Sequence, residues 1–590
     1  MKKGNNISRV LSYQGIKDFV TAEQSIIIAL SILIGLLAGL GTVGFIYLIK
    51  LLKTVFWNPW GGYTGYIAGD ITSLLIPLLP ALGGLLLGPI SSIFPTEAKG
   101  HGVPEVMESV ALRGGILKLR TVFIRAFASA VTIGSGGSAG REGPIAHIGA
   151  AIGSWVGQVF KMSSNNMRTL LGCGAAGGIA ATFNAPIAGV LFSLEIVLGD
   201  WQVATLSPII MSSVIATTTA RHIMGNEWAF EVPYYQLVNP VEIVFYIILG
   251  LLAGLVALMF IQTLDTFEDL FDKKIKIHPW LKPALGGLLV GLIGLIFPQI
   301  FGNGYDPMGQ ALMGDMAFTM MFLLVFLKIL STSLTLGSGG SGGIFAPGLY
   351  IGAMLGGSFG AVVHGMFPSI TATKGAYALV GMGAVLAAAA HAPLTNILIL
   401  YEMTGDYHII LPIMAACIMS TLTVRSLSPY SIFSIRLIKK GINIEAGKET
   451  SILQSIKVSS AMTRDAEFLQ EDMKFTDIVQ HLINSKHSNF PVIDSMGDLI
   501  GMLSFKDVRE HVFEPDLEHV IVARDLARPD YLTVSPSDNL KDALSLLAHK
   551  GRDHVLVVEP ANPRKLLGIL SRRDILTAYN KALFKYDNIV

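Results

Sequence analysis

Long apolar runs dominate the first three quarters of the chain. SIIIALSILIGLLAGLGTVGFIYLI (25–49) is long enough to cross about 30 Å of hydrocarbon as a helix. Other apolar stretches, such as the one opening at Pro144, are shorter and interrupted by glycine. Beyond residue 450 the pattern changes to short segments. FPVID…LIGMLSFKDV (490–508) and VLVVE…LLGILSRRDI (555–575) each read as a strand, a turn, a second strand and a helix.

Charge follows the same division. Hydrophobic residues make up 52% of the chain and charged residues 14%, against about 25% charged in ordinary soluble domains. Of the 42 acids, 20 lie in residues 1–440 and 22 in residues 441–590, so an ordinary soluble region is expected to follow an apolar membrane body. The N-terminus is basic but has no short apolar core leading to a small-residue cleavage site, which argues against a signal peptide. Cys173 and Cys417 both sit in apolar segments and support neither a disulfide framework nor a metal site. A net charge of +1 gives no nucleic-acid signal.

The apolar body repeats itself. ILIGLLAGL (32–40) returns as IILGLLAGL (247–255), and ALGGLLLG (81–88) as ALGGLLVG (284–291). GHGVP (100–104) has a weak echo in GNGYDP (302–307), and NAPIAGVLFSLEIVLGD (184–200) is matched by HAPLTNILILYEMTGD (391–406). GSGGSAGREGP (134–144) returns as GSGGSGGIFAP (337–347). Matches kept in one order at a nearly constant offset mark two homologous halves. Basic residues give their relative orientation. Lys2, Lys3, Arg9 and Lys17 precede the first half, and the junction 223–240 has no Lys or Arg. Lys273, Lys274, Lys276 and Lys282 follow the next apolar run, while Arg425, Arg436, Lys439 and Lys440 close the second half. Basic flanks stay inside, so the halves are expected to be inverted, with an ion site at their midplane interface. The boundaries read from sequence are a cytoplasmic segment 1–20, membrane repeats 21–222 and 241–440, and soluble repeats 451–515 and 519–590.

Each glycine run ends at a proline that suits a first helical turn: Pro144 after Gly140, Arg141 and Gly143, and Pro347 after Gly343. A helix start carries unpaired N–H donors and about half a positive charge, which makes it an anion site. Irregular backbone is tolerated at membrane depth where protein or a water-filled cavity covers it. Close helix packing is the other use of such glycines. A phosphate-cradling GxxxxGK[ST] loop is absent. The first copy holds the only acid, Glu142. A carboxylate there is itself an anion in an anion site: charged, it competes with the transported anion, and protonated, it lets go. The plainer role is to satisfy the helix dipole.

GREGP (140–144), GGIFAP (342–347), GHGVPE (100–105), FNAPIAGVLFSLE (183–195) and SPYSIF (428–433) together resemble the CLC family of chloride channels and chloride/proton antiporters, over roughly residues 20–440. The resemblance implies a polytopic α-helical membrane protein with two inverted repeats, a homodimer with an anion pathway in each subunit. It further implies chloride contacts from the amides of Ile344 and Phe345 and the hydroxyl of Tyr430, and a gating role for Glu142. Tyrosine is also common at membrane interfaces. Two positions depart from the pattern. His101 stands where chloride-selective members commonly have serine; its N–H could donate to an anion or bond elsewhere in the loop, which leaves chloride-versus-nitrate preference open. Ile196 stands at the internal proton glutamate of well-studied antiporters. Glu195 matches the first acid of that motif and Glu402 is its repeat mate, with a functional or a packing role open to both.

The GxLSxxD pattern at Gly501–Asp507 and Gly568–Asp574 resembles a tandem pair of cystathionine-β-synthase (CBS) domains, a small cytoplasmic α/β module. The resemblance makes Ser504, Asp507, Ser571 and Asp574 candidates for an adenine nucleotide (ATP, ADP or AMP). The two aspartates could instead cap the helices that follow, leaving a pair that only dimerises. The expected function is transport of chloride or other small anions, as a proton-coupled antiporter or as a passive voltage- or pH-gated channel, with no required cofactor. A CBS-linked divalent-cation transporter would need a cluster of membrane carboxylates, and an enzyme would need a nucleophile–base or cofactor motif. Neither is visible.

Overall fold

A computed structural model describes residues 13–58, 75–226, 233, 235, 237–440, 442, 453–454, 456–485, 487–509 and 520–587. The chain forms two units, 1–436 and 437–590.

Hydrocarbon offers no partner to a free N–H, so long apolar runs must become helices. The first half contains α1 (Tyr13–Trp57), α2 (Leu78–Ile93), α3 (Val103–Leu112), α4 (Arg120–Gly134), α5 (Glu142–Val159), α6 (Ser164–Phe183), α7 (Pro186–Phe192) and α8 (Val203–Met224). The second half repeats the series as α9 (Glu242–Asp269), α10 (Lys282–Ile296), α11 (Tyr305–Met313), α12 (Phe318–Gly337), α13 (Phe345–Met366), α14 (Lys374–Ala390), α15 (Pro393–Thr404) and α16 (Ile410–Leu427). Among the described residues seven helices are long and apolar enough to cross a membrane. Leu36, Leu40, Leu252 and Leu255 remain 38–50% exposed on the outside of α1 and α9, as expected of a surface that faces lipid.

Packing repeats along with the elements. α1 packs on α8 as α9 does on α16, α5 on α6 as α13 does on α14, and the mates α2 and α10 touch one another. A side chain at Gly84 would run into Pro283, and one at Gly287 into Pro80. The contact is reciprocal at a 203-residue offset, as a twofold relation between halves requires.

Two sequence boundaries fall inside helices. The helix already runs at Tyr13 although the apolar span begins at Gln24, because YQGIKDFVTAEQ contains no proline and its one glycine, Gly15, is tolerated in a helix. Residue 222 lies inside α8. The 515/519 junction falls outside the described residues.

The second unit holds two β-α-β-β-α copies. β1 (Leu469–Gln470), α17 (Phe475–Asn484), β2 (Asn489–Ile493), β3 (Leu499–Ser504) and α18 (Phe505–Arg509) form the first. β4 (Thr533–Val534), α19 (Leu540–His549), β5 (His554–Glu559), β6 (Asn562–Ser571) and α20 (Arg572–Asp587) form the second. In each, the outer short strand runs parallel to the middle one, and the last two pair antiparallel, with Val492 opposite Gly501 and Val557 opposite Gly568. Separate apolar cores lie under each sheet, around Phe490 and Val492 in one copy and Val555 and Val557 in the other.

Candidate anion and proton site

The two glycine loops meet. Gly140 N–H donates to Gly343 O at 2.7 Å, and Gly343 N–H returns a bond to Gly140 O at 2.6 Å. Side chains lock the junction in mirrored pairs. Ser129 Oγ lies 2.9 Å from Ser341 Oγ, and Ser138 Oγ lies 3.0 Å from Thr332 Oγ1. Ser138 N–H donates to Thr335 Oγ1 at 3.1 Å, while Ser341 N–H donates to Thr132 Oγ1 at 3.2 Å. Every partner in these pairs is related to its counterpart by 203 residues. Gly136 and Gly339, mates at the same offset, turn the chain with φ of 108° and 105°, a region that glycine enters without steric cost.

These loops start α5 at Glu142 and α13 at Phe345, so Pro144 and Pro347 fall in the first helical turn. Arg141 is the residue before α5, with its guanidinium 4.9 Å from the Tyr305 ring centre. Gly143 has no room for a side chain, which would meet the carbonyl of His101 and the backbone of Gly343. The third loop, at 100–102, joins the same layer: Gly342 N–H donates to Gly100 O at 3.3 Å.

Glu142 is buried, and its carboxylate crosses from the first half to the second. Oε2 accepts from Ala346 N–H at 3.3 Å, in the first turn of α13, and Oε1 accepts from the Tyr305 hydroxyl at 2.7 Å. The acid present in only one glycine loop therefore occupies the donor end of the helix that follows the other. Its repeat mate, Phe345, lies buried between Phe192 (5.5 Å, edge-on) and Phe433 (5.8 Å, stacked). Ile344 is also buried. Tyr430 is 36% exposed, on a loop tied down by Ile432 N–H to Ala389 O (2.9 Å) and by the Phe433 stack.

His101 is buried with Nε2 3.2 Å from Glu268 Oε1, so the ring faces a carboxylate of α9 rather than the amides around Glu142. Ile196 is buried in a π-helical turn, Ser193–Leu198, that continues α7. Glu195, beside it, accepts from Leu394 N–H (3.2 Å), Thr395 N–H (2.7 Å) and Thr395 Oγ1 (2.6 Å). Glu402 accepts in return from Ile187 N–H (3.0 Å) and Ala188 N–H (2.6 Å). Each acid caps the helix start of the opposite half, the packing alternative for this pair.

Two cations escaped the sequence reading. Arg125 is wholly buried in α4; Nη1 donates to Lys99 O and Gly100 O, each at 3.1 Å, and Nη2 lies 3.8 Å from Glu105. Lys328, 203 residues later in α12, is equally buried and donates to Ile300 O (2.8 Å) and Gly302 O (2.9 Å). Each cation holds the glycine loop of its own half. Aligning the two halves residue by residue would have found them.

A family model described as "Voltage gated chloride channel" matches residues 83–425, more than half the chain. The chain belongs to that family. CBS domain models match 458–514 and 523–581. A ClcB-like chloride channel protein from Ralstonia nicotianae is 35% identical over 69% of this chain and 95% of its own length. The H(+)/Cl(-) exchange transporter ClcA of Vibrio campbellii is 32% identical over 63% of this chain and 82% of its own. Among solved structures, a slow cyanobacterial Cl-/H+ antiporter matches with a TM-score of 0.64 at 27% identity, covering 70% of this chain and 97% of its own. A eukaryotic CLC transporter shares the fold over 93% of this chain and 97% of its own, with a TM-score of 0.60 at 21% identity. This member of the chloride channel family is therefore a multi-pass membrane protein followed by a CBS pair.

The CBS candidates have matched geometry. Asp507 Oδ2 accepts from Ser504 N–H (2.9 Å) and Oγ (2.6 Å), and Asp574 Oδ2 accepts from Ser571 N–H (2.9 Å) and Oγ (2.6 Å). Both aspartates, in the first turns of α18 and α20, thus tie the starts of their own helices to the serine that precedes them. Asp507 is in addition ion-paired to Arg528. A cavity of about 630 Å³ lies at Ser571 and Asp574, lined also by Thr463, His487, His554 and Arg573. A smaller one, about 210 Å³, lies at Ser504 and Asp507. Burial holds the His554 imidazole below its ordinary range, so it is neutral near pH 7.

Proposed function

We propose that this protein exchanges chloride for protons across a membrane, as a homodimer with one pathway per subunit and Glu142 as the gate of each. One observation carries the reading: the Glu142 carboxylate sits on Ala346 N–H at a helix start, where a transported anion would sit. Charged, the side chain excludes the anion; protonated, it no longer competes for the amide, and one group thereby couples the two ions. The exchange transporters and antiporter among its relatives support exchange. The amides of Ile344 and Phe345 and the Tyr430 hydroxyl are proposed as chloride contacts deeper in the pathway, with Gly140, Arg141, Gly143, Pro144, Gly343 and Pro347 shaping the two loops. The protein is proposed to lie in a cell (inner) membrane, and its basic residues favour both flanks of the membrane unit being cytoplasmic.

Ile196 favours a second reading, passive conduction, because no acid stands there to relay protons from inside. The reversal potential of reconstituted protein under opposed chloride and pH gradients separates the two. Exchange is expected to pull the reversal potential away from the chloride equilibrium value in proportion to the pH gradient. A reversal potential that ignores pH would leave the passive channel.

The CBS pair is proposed to bind an adenine nucleotide at the larger cavity, where, among the described residues, Asp574 forms no ion pair like that of Asp507 with Arg528. Thermal-shift titrations with ATP, ADP and AMP are expected to saturate for at least one nucleotide. Asp574→Asn is expected to weaken that response about tenfold or more and Asp507→Asn to change it less. Flat titrations with all three would reduce the pair to a dimerisation element.

A further inference from the structure

The internal repeat shows where the two halves differ. Glu142 has Phe345 as its mate at an offset of 203. At the loop offset of 202, set by Gly100 and Gly302, Tyr305 has Val103 as its mate. Both Val103 and Tyr305 open their short helices, α3 and α11, behind a glycine of positive φ, Gly102 at 88° and Gly304 at 80°. The glycine-led helix start is thus repeated, and its first side chain differs. These two departures from the repeat touch: the Tyr305 hydroxyl donates to Glu142 Oε1 at 2.7 Å.

We propose that Tyr305 is the latch of the Glu142 gate, a positioning residue that holds the ionised carboxylate in the anion site and sets the pH at which it releases. This deepens the gate reading above and rests on it. The chemistry separates the two partners of Glu142. Ala346 N–H can only donate, so its bond is stronger to the ionised carboxylate than to the carbonyl oxygen of the neutral acid. A phenol donates to a carboxylate and can accept from a carboxylic acid, but the charge-assisted bond to the ionised form is the stronger, so Tyr305 favours the ionised side chain. Tyr305 also lines a cavity of about 240 Å³ together with Lys50, Lys53, Trp57, Arg141 and Asp306, so one residue touches both the gate and that cavity.

The position of the latch is set by neighbouring groups. Lys328 fixes the carbonyls of Ile300 and Gly302 just before it, and a side chain at Gly304 would collide with the Tyr350 ring. Among the described residues, the charged groups near Tyr305 are Glu142 on its hydroxyl, Arg141 over its ring, Lys328 of α12 beside Gly304, and Lys50 and Lys53 of α1 and Asp306 of α11, which line the same cavity.

The test is chloride efflux from proteoliposomes as a function of pH. Tyr305→Phe keeps the ring on Arg141 and removes the hydroxyl, whose stronger bond is the one to the ionised carboxylate. The pH midpoint of flux is expected to rise by about one unit, a tenfold change in proton concentration, with the acid-limit rate retained. In a Glu142→Gln background the same substitution is expected to leave the pH profile unmoved. An unchanged midpoint in a Tyr305→Phe protein that transports, or an equal shift in the glutamine background, overturns the latch. Should the phenylalanine variant not reconstitute, Tyr305→Val, the residue the other half carries, is read in the same way. If Glu142→Gln alone keeps the wild-type pH dependence, the gate assignment falls and takes the latch with it; if only the tyrosine variants are silent, the gate stands and the latch falls.

Discussion

Glu142→Gln is expected to keep chloride moving and to stop its coupling to protons. Glutamine has nearly the shape of glutamate and cannot ionise, so it imitates the protonated carboxyl at every pH. No competing anion then remains at Ala346 N–H. Chloride flux is expected to persist and to lose most of its pH dependence. Proton uptake driven by a chloride gradient is expected to fall to the level of empty liposomes, a loss of at least about tenfold where proton transfer by a positioned group contributes 10²–10⁴-fold. A chloride electrode and a pH probe read in the same vesicles measure both. Proton pumping that survives in the variant would remove Glu142 from the gate.

Arg125→Met is expected to be the most damaging single change away from the gate. The guanidinium is wholly buried, ties down Lys99 O and Gly100 O, and faces the Glu105 carboxylate. Methionine fills much of the volume but leaves two carbonyls without that donor and a carboxylate with one fewer cation. Removing one partner of a buried pair costs about 3–5 kcal/mol, on the order of 10 °C in the melting temperature of the detergent-solubilised protein. Arg436, 3.7 Å from Glu105, supplies part of the compensation, so Arg125→Lys, which keeps the charge, is expected to recover much of the loss. A melting temperature within 2 °C of wild type (about half a kcal/mol) together with normal flux would show that the 100–102 loop does not depend on this cation.

Much of the fold was legible because it rests on patterns that sequence preserves. Apolar length fixed the spanning helices, since hydrocarbon leaves no alternative to internal hydrogen bonding. Ordered echoes such as ALGGLLLG and ALGGLLVG revealed two halves, and the GxLSxxD repeat revealed the paired α/β copies. The start of α1 was less legible, because the polar segment before Gln24 continues the helix without a proline to mark a boundary.

The candidate site divides along a similar line. That Glu142 is an acid at a helix start follows from REGP alone, because helix starts and their proline are local features. Which helix start its carboxylate occupies does not follow. The side chain leaves its own helix for Ala346, 204 positions away, and finds Tyr305 from a third segment. The same holds for His101, whose ring turns toward Glu268 of α9, and for Glu195 and Glu402, each capping the other half. Spacing along a chain constrains residues within a turn or two of one another. Contacts between inverted halves depend on how the halves are brought together, which packing across their interface decides. The sequence by itself determined the halves, their inversion and the acid that breaks their symmetry; the tertiary structure decided what that acid touches, because its partners arrive from segments whose only link to it is the fold.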